Sequence, residues 1–183
     1  MSNDPRAKAS MATSPVRICV IIALVAAFTA SASLAEQIDN PMYGYWSHFK
    51  PGSILKTTTY SDAAGQKSTM DTVSTLLEVT PDKITVQTDV QVTAGDQKMK
   101  QRTRKQDVPA KIDQRPDASA IKHSTESITV AGKTYPCQVS EETREGMVIK
   151  TWTNDQIPGG VVRAEMHSEG LSITTLLVES TAK

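Results

Sequence analysis

The chain has 183 residues, of which 38% are hydrophobic, 22% charged and only 4% aromatic, so one small domain with a modest core is expected rather than a multidomain enzyme. Twenty basic residues balance twenty acidic ones, and no global field of one sign exists to draw in nucleic acid or an anionic membrane surface.

Arg6, Lys8 and Arg17 precede a 13-residue apolar run from Ile18 to Ala30, and small residues follow at Ser31, Ala32, Ser33 and Ala35. A basic start, a short apolar middle and a small-residue exit are the three zones of a secretory signal peptide. The run is shorter than the roughly 20 residues a membrane-spanning helix needs. Residues 1–35 are therefore read as a signal peptide cut after Ala35, with Ala30-Ser31-Ala32 as a second exit and Met11 as an alternative start. Cys19 stands at the front of the apolar run, so it is badly placed for lipidation. The expected location is outside the cytoplasm, periplasmic or extracellular, with no transmembrane segment after cleavage. Residues 36–183 form the single expected domain. They keep 17 basic and 19 acidic residues once Arg6, Lys8, Arg17 and Asp4 are removed, and one cysteine, Cys137. A disulfide framework is thereby excluded, and the fold must rest on its core and backbone pairing.

Asn40-Pro41 offers a helix cap with proline at the first helical position, and Met42, Tyr43, Tyr45, Trp46 and Phe49 give a short amphipathic stretch ending before Pro51-Gly52. Of the seven aromatics after Ala35, four fall here; Tyr60, Tyr135 and Trp152 are left for the rest. Such a segment either plugs one end of a curved sheet or forms a lid over a ligand.

The remainder predicts strands. Twenty threonines and many Val and Ile favour a pleated surface. Ile84, Val86, Thr88, Val90 and Val92 alternate with polar residues over ten positions, the mark of a strand buried on one side. Shorter patterns cover 53–60, 71–79, 97–106, 126–131, 134–141, 146–153, 160–168 and 171–179, with turn signals between most of them. The short links require antiparallel neighbours. Gly95-Asp96 reads as a two-residue turn that sets Val92 opposite Met99 on the buried face. The same register sets Asp89 opposite Arg102, Gln87 opposite Arg104 and Gln91 opposite Lys100 on the solvent face. The Ala131-Gly132 turn leaves its register open, because alanine resists positive φ. Residues 107–124, with Pro109 and Pro116, predict a long connector.

Chemistry is sparse. His48, His123 and His167 lack a second ligand at metal spacing, no GxSxG elbow surrounds a serine, and no glycine-rich run opens a helix. Glu141, Glu142 and Glu145 read as a solvated loop before Gly146. Lys98, Lys100, Arg102 and Arg104 alternate along one strand, which places all four on one face; such a row could bind an anion or protect a sheet edge, and protection is the favoured reading. Without interleaved aromatics, nucleic acid is not supported. Cys137 shares a face with Tyr135 and Val139 and is expected to be buried.

The segments WSHFKPGS at 46–53 and KTWTNDQIPGGVV at 150–162 resemble an uncharacterised family of exported bacterial β-rich proteins, with Pro109-Ala110-Lys111 and Gly132 to Cys137 extending the likeness. Trp152, Asp155, Pro158 and Val161 to Met166 are also similar in outline to periplasmic lipoprotein carriers, whose half-open antiparallel barrels hold acyl chains on the concave face.

The expected fold is mainly β: an antiparallel, strongly curved sheet or half-open barrel of about eight or nine strands, with a short N-terminal helix. The expected function is a non-catalytic exported module that binds a hydrophobic small molecule or lipid on the concave face, with Tyr43, Tyr45, Trp46, Phe49 and Trp152 as the ligand-binding residues. The alternative is an envelope structural or protein-interaction module with a filled core, docking an envelope protein. Catalytic residues, metal ligands and cofactors are not expected.

Overall fold

The computed structural model describes residues 37–95, 97–99, 101–113 and 121–183; the leader expected at 1–35 lies outside them. The elements are β1 (Gln37–Asp39), α1 (Pro41–Ser47), β2 (Ile54–Ala63), β3 (Gln66–Val79), β4 (Lys83–Ala94), β5 (Gln97–Lys98), β6 (Arg102–Pro109), β7 (Lys111–Asp113), β8 (Lys122–Val130), β9 (Lys133–Arg144), β10 (Met147–Thr153), β11 (Val161–Ser168) and β12 (Leu171–Thr181). Ten strands form one curved, open antiparallel sheet in the order β5-β4-β3-β2-β12-β11-β10-β9-β8, with β6 also on the free side of β4. β1 pairs with β7 in a separate two-stranded ribbon, so part of the connector expected at 107–124 is strand. Among the described residues, no helix is long and apolar enough to cross a membrane.

The hairpins close where the turn chemistry allows. Ala131 takes φ +50° and Gly132 +76°, and Val130 faces Lys133 across a two-residue turn. Ala64-Gly65 and Glu145-Gly146 have the same pair of positive φ values, in which glycine carries the second position without strain.

The Gly95 hairpin follows its expected register only near the turn. Lys98 faces Thr93, and the Met99 N–H donates to Val92 O at 2.9 Å. Between Met99 and Arg102 the second strand then carries one residue more than β4, and every later pair slips by one. Asp89 faces Thr103 instead of Arg102, Gln87 faces Lys105 instead of Arg104, and Arg102 faces Val90. The pairing expected for Lys100 lies outside the described residues. The bulge has a clear advantage: it moves Thr103 off the apolar face and lets its hydroxyl donate to Asp89. It also splits the basic row, because Lys98 shares a face with Thr93 and Arg102 shares the opposite face with Val90. Met99 is 53% exposed rather than buried.

Following the ladders from strand to strand shows which face is buried. Leu55, Leu76, Ile84, Val86, Val108, Val162 and Leu177 lie on one face, here called inner, and all are buried. On β9 and β10 the buried residues Cys137, Val139 and Trp152 point to the opposite, outer face. The switch has a compositional cause. The inner positions of β8 and β9 are Thr125, Ser127, Thr129, Thr134 and Gln138, whereas Ile128, Val130, Tyr135, Cys137 and Val139 occupy the outer ones. Burying that set requires the sheet to curl the other way, and β8 accordingly approaches β12 across three intervening strands. The register shift at Trp152/Thr153, where Thr153 faces Val161, marks the changeover. Similar irregularities follow Leu76 and Leu177 and turn the extra residues Leu77 and Val178 outward.

Candidate functional site

The aromatic segment closes one end of the inner face. Asn40 caps α1, its side chain accepting from the Met42 N–H at 3.1 Å, and its own N–H donates to Ala110 O at 2.9 Å. The Tyr43 hydroxyl donates to Thr80 O at 2.8 Å, and the Tyr45 hydroxyl donates to Thr153 Oγ1 at 3.1 Å. His48 sets Nδ1 3.0 Å from Gly44 O and Nε2 2.8 Å from Asp155 O, joining the helix to the loop after β10. Phe49 is half-buried and stacks on His48 at 4.2 Å between centroids.

Trp46 is 4% exposed and sits against Gly159, where an added Cβ would lie 2.8 Å from Cζ2; Tyr45 covers Gly160 in the same way, at 2.5 Å to Cδ1. Only glycine permits that approach, and both glycines hold positive φ, +77° and +75°. The Gly159 N–H also donates to Tyr45 O at 3.1 Å. Trp46 is therefore built in as a plug, in one buried cluster that also holds Ile84, Val108, Leu55, Ile157 and Trp152.

The structure brings Tyr43, Tyr45, Trp46 and Phe49 together at this end, and Trp152 belongs to the same buried cluster as Trp46 but enters it from β10. Thr153, which holds Tyr45, and Trp152, its neighbour in β10, point to opposite faces of the sheet. Trp152 lies between Lys150 Nζ, 4.6 Å from the ring centroid, and Arg163 Cζ, 5.1 Å away. Its indole N–H donates to Glu126 Oε2 at 2.8 Å, and Lys150 bonds the other carboxylate oxygen at 2.9 Å. The indole bond first, and Lys150 second, hold the Glu126 carboxyl below its usual range.

A groove of about 390 Å³ adjoins Tyr45. Thr125, Glu126, Ser127, Gln138, Thr153 and Asp155 line it together with Pro136 and Cys137, a wall of mixed polar and apolar surface. Asn154 beneath it is already engaged: its amide donates to Pro136 O at 2.7 Å, and its carbonyl accepts from the Gln156 N–H at 2.8 Å.

Apolar surface lies farther along the inner face. Val92, Met70, Thr59, Thr175, Ala164 and Thr151 oppose one another directly across six strands, and the next row carries Ile173, Met166 and Ile149. All of these side chains are half-buried rather than buried. The hydrogen bonds of α1 are made at the opposite end, to Thr80, Thr153 and Gly159. The sequence reading missed this trough because β3, β4, β10, β11 and β12 contribute only one or two apolar residues each, β2 contributes Thr59 and Ser61, and only the register aligns them.

Ser172 Oγ lies 3.2 Å from His167 Nδ1, and His167 Nε2 lies 3.8 Å from Glu165 Oε2, on the outer face. The order resembles a nucleophile, a base and an orienting acid. Glu165, however, is held by Arg163, and the His167 side chain is 52% exposed, a geometry that does not activate a serine. Glu141 and Glu142 are half-buried strand residues rather than loop; Glu141 faces Lys150 and lies 3.5 Å from Lys122.

No protein-family model matches the chain, and no curated protein matches it. Solved structures similar to the chain include two exported-type proteins. A chain from Parabacteroides distasonis, described as a candidate lipoprotein, is 14% identical with a TM-score of 0.46, over 75% of this chain and 98% of its own. A candidate exported protein with a YmcC-like fold from Bacteroides fragilis is 9% identical with a TM-score of 0.45, over 73% of this chain and 97% of its own.

Proposed function

We propose that the protein is an exported, non-catalytic module that binds a hydrophobic ligand on the inner face of its open sheet. Export rests on the basic start, short apolar run and small-residue exit of residues 1–35. One observation carries the binding reading: Met70, Val92, Ile149, Met166 and Ile173 share the inner face yet stay half-buried, so one ligand lying across the strands would cover them together. The binding surface is thus moved from the aromatic residues to the trough beyond them, and Trp46 keeps a structural role.

The test is displacement of an uncharged naphthylamine probe from the purified protein, with native mass spectrometry for co-purified ligand. Met166→Glu, which sets a charge in the trough, is expected to abolish probe binding with the fold intact. Unchanged binding in that variant contradicts the reading. A second reading, docking of an envelope protein, is favoured by the open edge strands β6 and β8. It gains if the protein takes up no probe and releases no bound mass.

A further inference from the structure

Two cations stand beside the trough. Register sets Arg102 opposite Val90 and Arg104 opposite Thr88, so both project from the inner face of β6, one and two residue pairs along β4 from Val92 toward the helix. Both are exposed, and neither forms an ion pair among the described residues. On the outer face Lys56 meets Glu179 at 2.6 Å, Lys83 meets Asp107 at 2.6 Å and Lys150 meets Glu126 at 2.9 Å, while Lys67 and Lys105 form no ion pair among the described residues. An arginine with its stem along apolar surface and its head in water presents a planar fork of donors suited to a carboxylate or phosphate.

We propose that the ligand is an anionic amphiphile, its chain lying across the strands along Val92, Met70 and Met166 and its charged head held by Arg102 and Arg104. The inference rests on the trough reading above. From β4 to β10 the row spans about 24 Å at the usual spacing between strands, room for one long acyl chain. Charges that point inward from an edge strand also discourage pairing with other sheets. That protection works with either sign of charge, whereas selection of a headgroup depends on the sign.

The experiment uses the full chain and four probes with the same 14-carbon tail: tetradecanoate, 1-myristoyl lysophosphatidate, uncharged monomyristin and tetradecyltrimethylammonium. Each is titrated below its critical micelle concentration against the naphthylamine probe. At least one anionic probe is expected to bind about tenfold or more tighter than monomyristin, the ratio one or two charge-assisted hydrogen bonds give. The two anions separate a carboxylate head from a phosphate head. The double variant Arg102→Glu and Arg104→Glu is expected to reverse the order in favour of the cation, with its melting temperature and monomer size unchanged. Arg102→Gln with Arg104→Gln is expected to remove the preference while monomyristin still binds. Equal binding of all four probes overturns the headgroup assignment and leaves the trough reading standing. Failure of all four, monomyristin included, overturns both.

Discussion

Trp152 reaches across β9 to donate its indole N–H to Glu126 at 2.8 Å. The ring is buried on the outer face between Lys150 and Arg163, so one carboxylate, two cations and one aromatic ring seal the core of the C-terminal half.

The Glu126 carboxyl is held below its usual value, chiefly by that indole bond. A carboxyl with a lowered folded pKa contributes stability that is complete above its unfolded pKa, about 4.3, and that is lost as pH falls through the folded value. The sequence holds two tryptophans, so the spectrum has two indole N–H signals. One is expected to move with a midpoint below pH of about 4.3, and Glu126→Gln removes that titration. A midpoint at or above this value contradicts the bond.

Gly159→Ala brings a Cβ to 2.8 Å from Trp46 at a φ of +77°, whereas Gly65→Ala meets nothing within 4 Å at +86°. Both carry a left-handed penalty of about 1–2 kcal/mol. Gly159→Ala is expected to lose about 1–3 kcal/mol more through overpacking, read from urea denaturation midpoints. Equal losses contradict the close fit.

Trp46→Ala is expected to destabilise by about 3–5 kcal/mol, as for other large buried aromatics. Tyr60→Ala, at a residue 52% exposed, is expected to stay within about 1 kcal/mol of the parent. If Trp46→Ala melts like the parent, the aromatic segment is a lid and not a plug.

Cys137 is 3% exposed, and burial first, with the negative charge of Glu126 second, pushes its thiol up. Iodoacetamide at neutral pH is expected to leave it unmodified in the native protein and to alkylate it after denaturation, read by peptide mass spectrometry. Fast native alkylation contradicts its burial.

Local rules were enough to read the elements. The Asn40-Pro41 start gave α1 to within a residue or two, and the alternation from Ile84 to Val92 marked β4, because cap, proline and period-two signals act over a few residues. Registers were legible only where a turn dictates them, as at Val92 and Met99. Three residues later an inserted residue turned Arg102 to the inner face, and nothing near it in the sequence announces a bulge. The phase of one strand against another was hidden altogether. Cys137, Tyr135 and Val139 were rightly grouped, but their place opposite Leu55 and Leu76 depends on ladders that run through four other strands. For the same reason the sequence does not show which face Trp152 takes, although it is read as a ligand-binding residue with the aromatic segment, nor does it show the trough from Val92 to Thr151.

Methyl NMR during a titration with tetradecanoate tests ligand binding on the inner face most directly. The signals of Met70, Met166, Ile149 and Ile173 are expected to shift together and saturate, while the Trp46 indole signal stays in place. No saturable shift in these four methyl groups, or shifts confined to Tyr43 through Phe49, would contradict the trough as the binding surface.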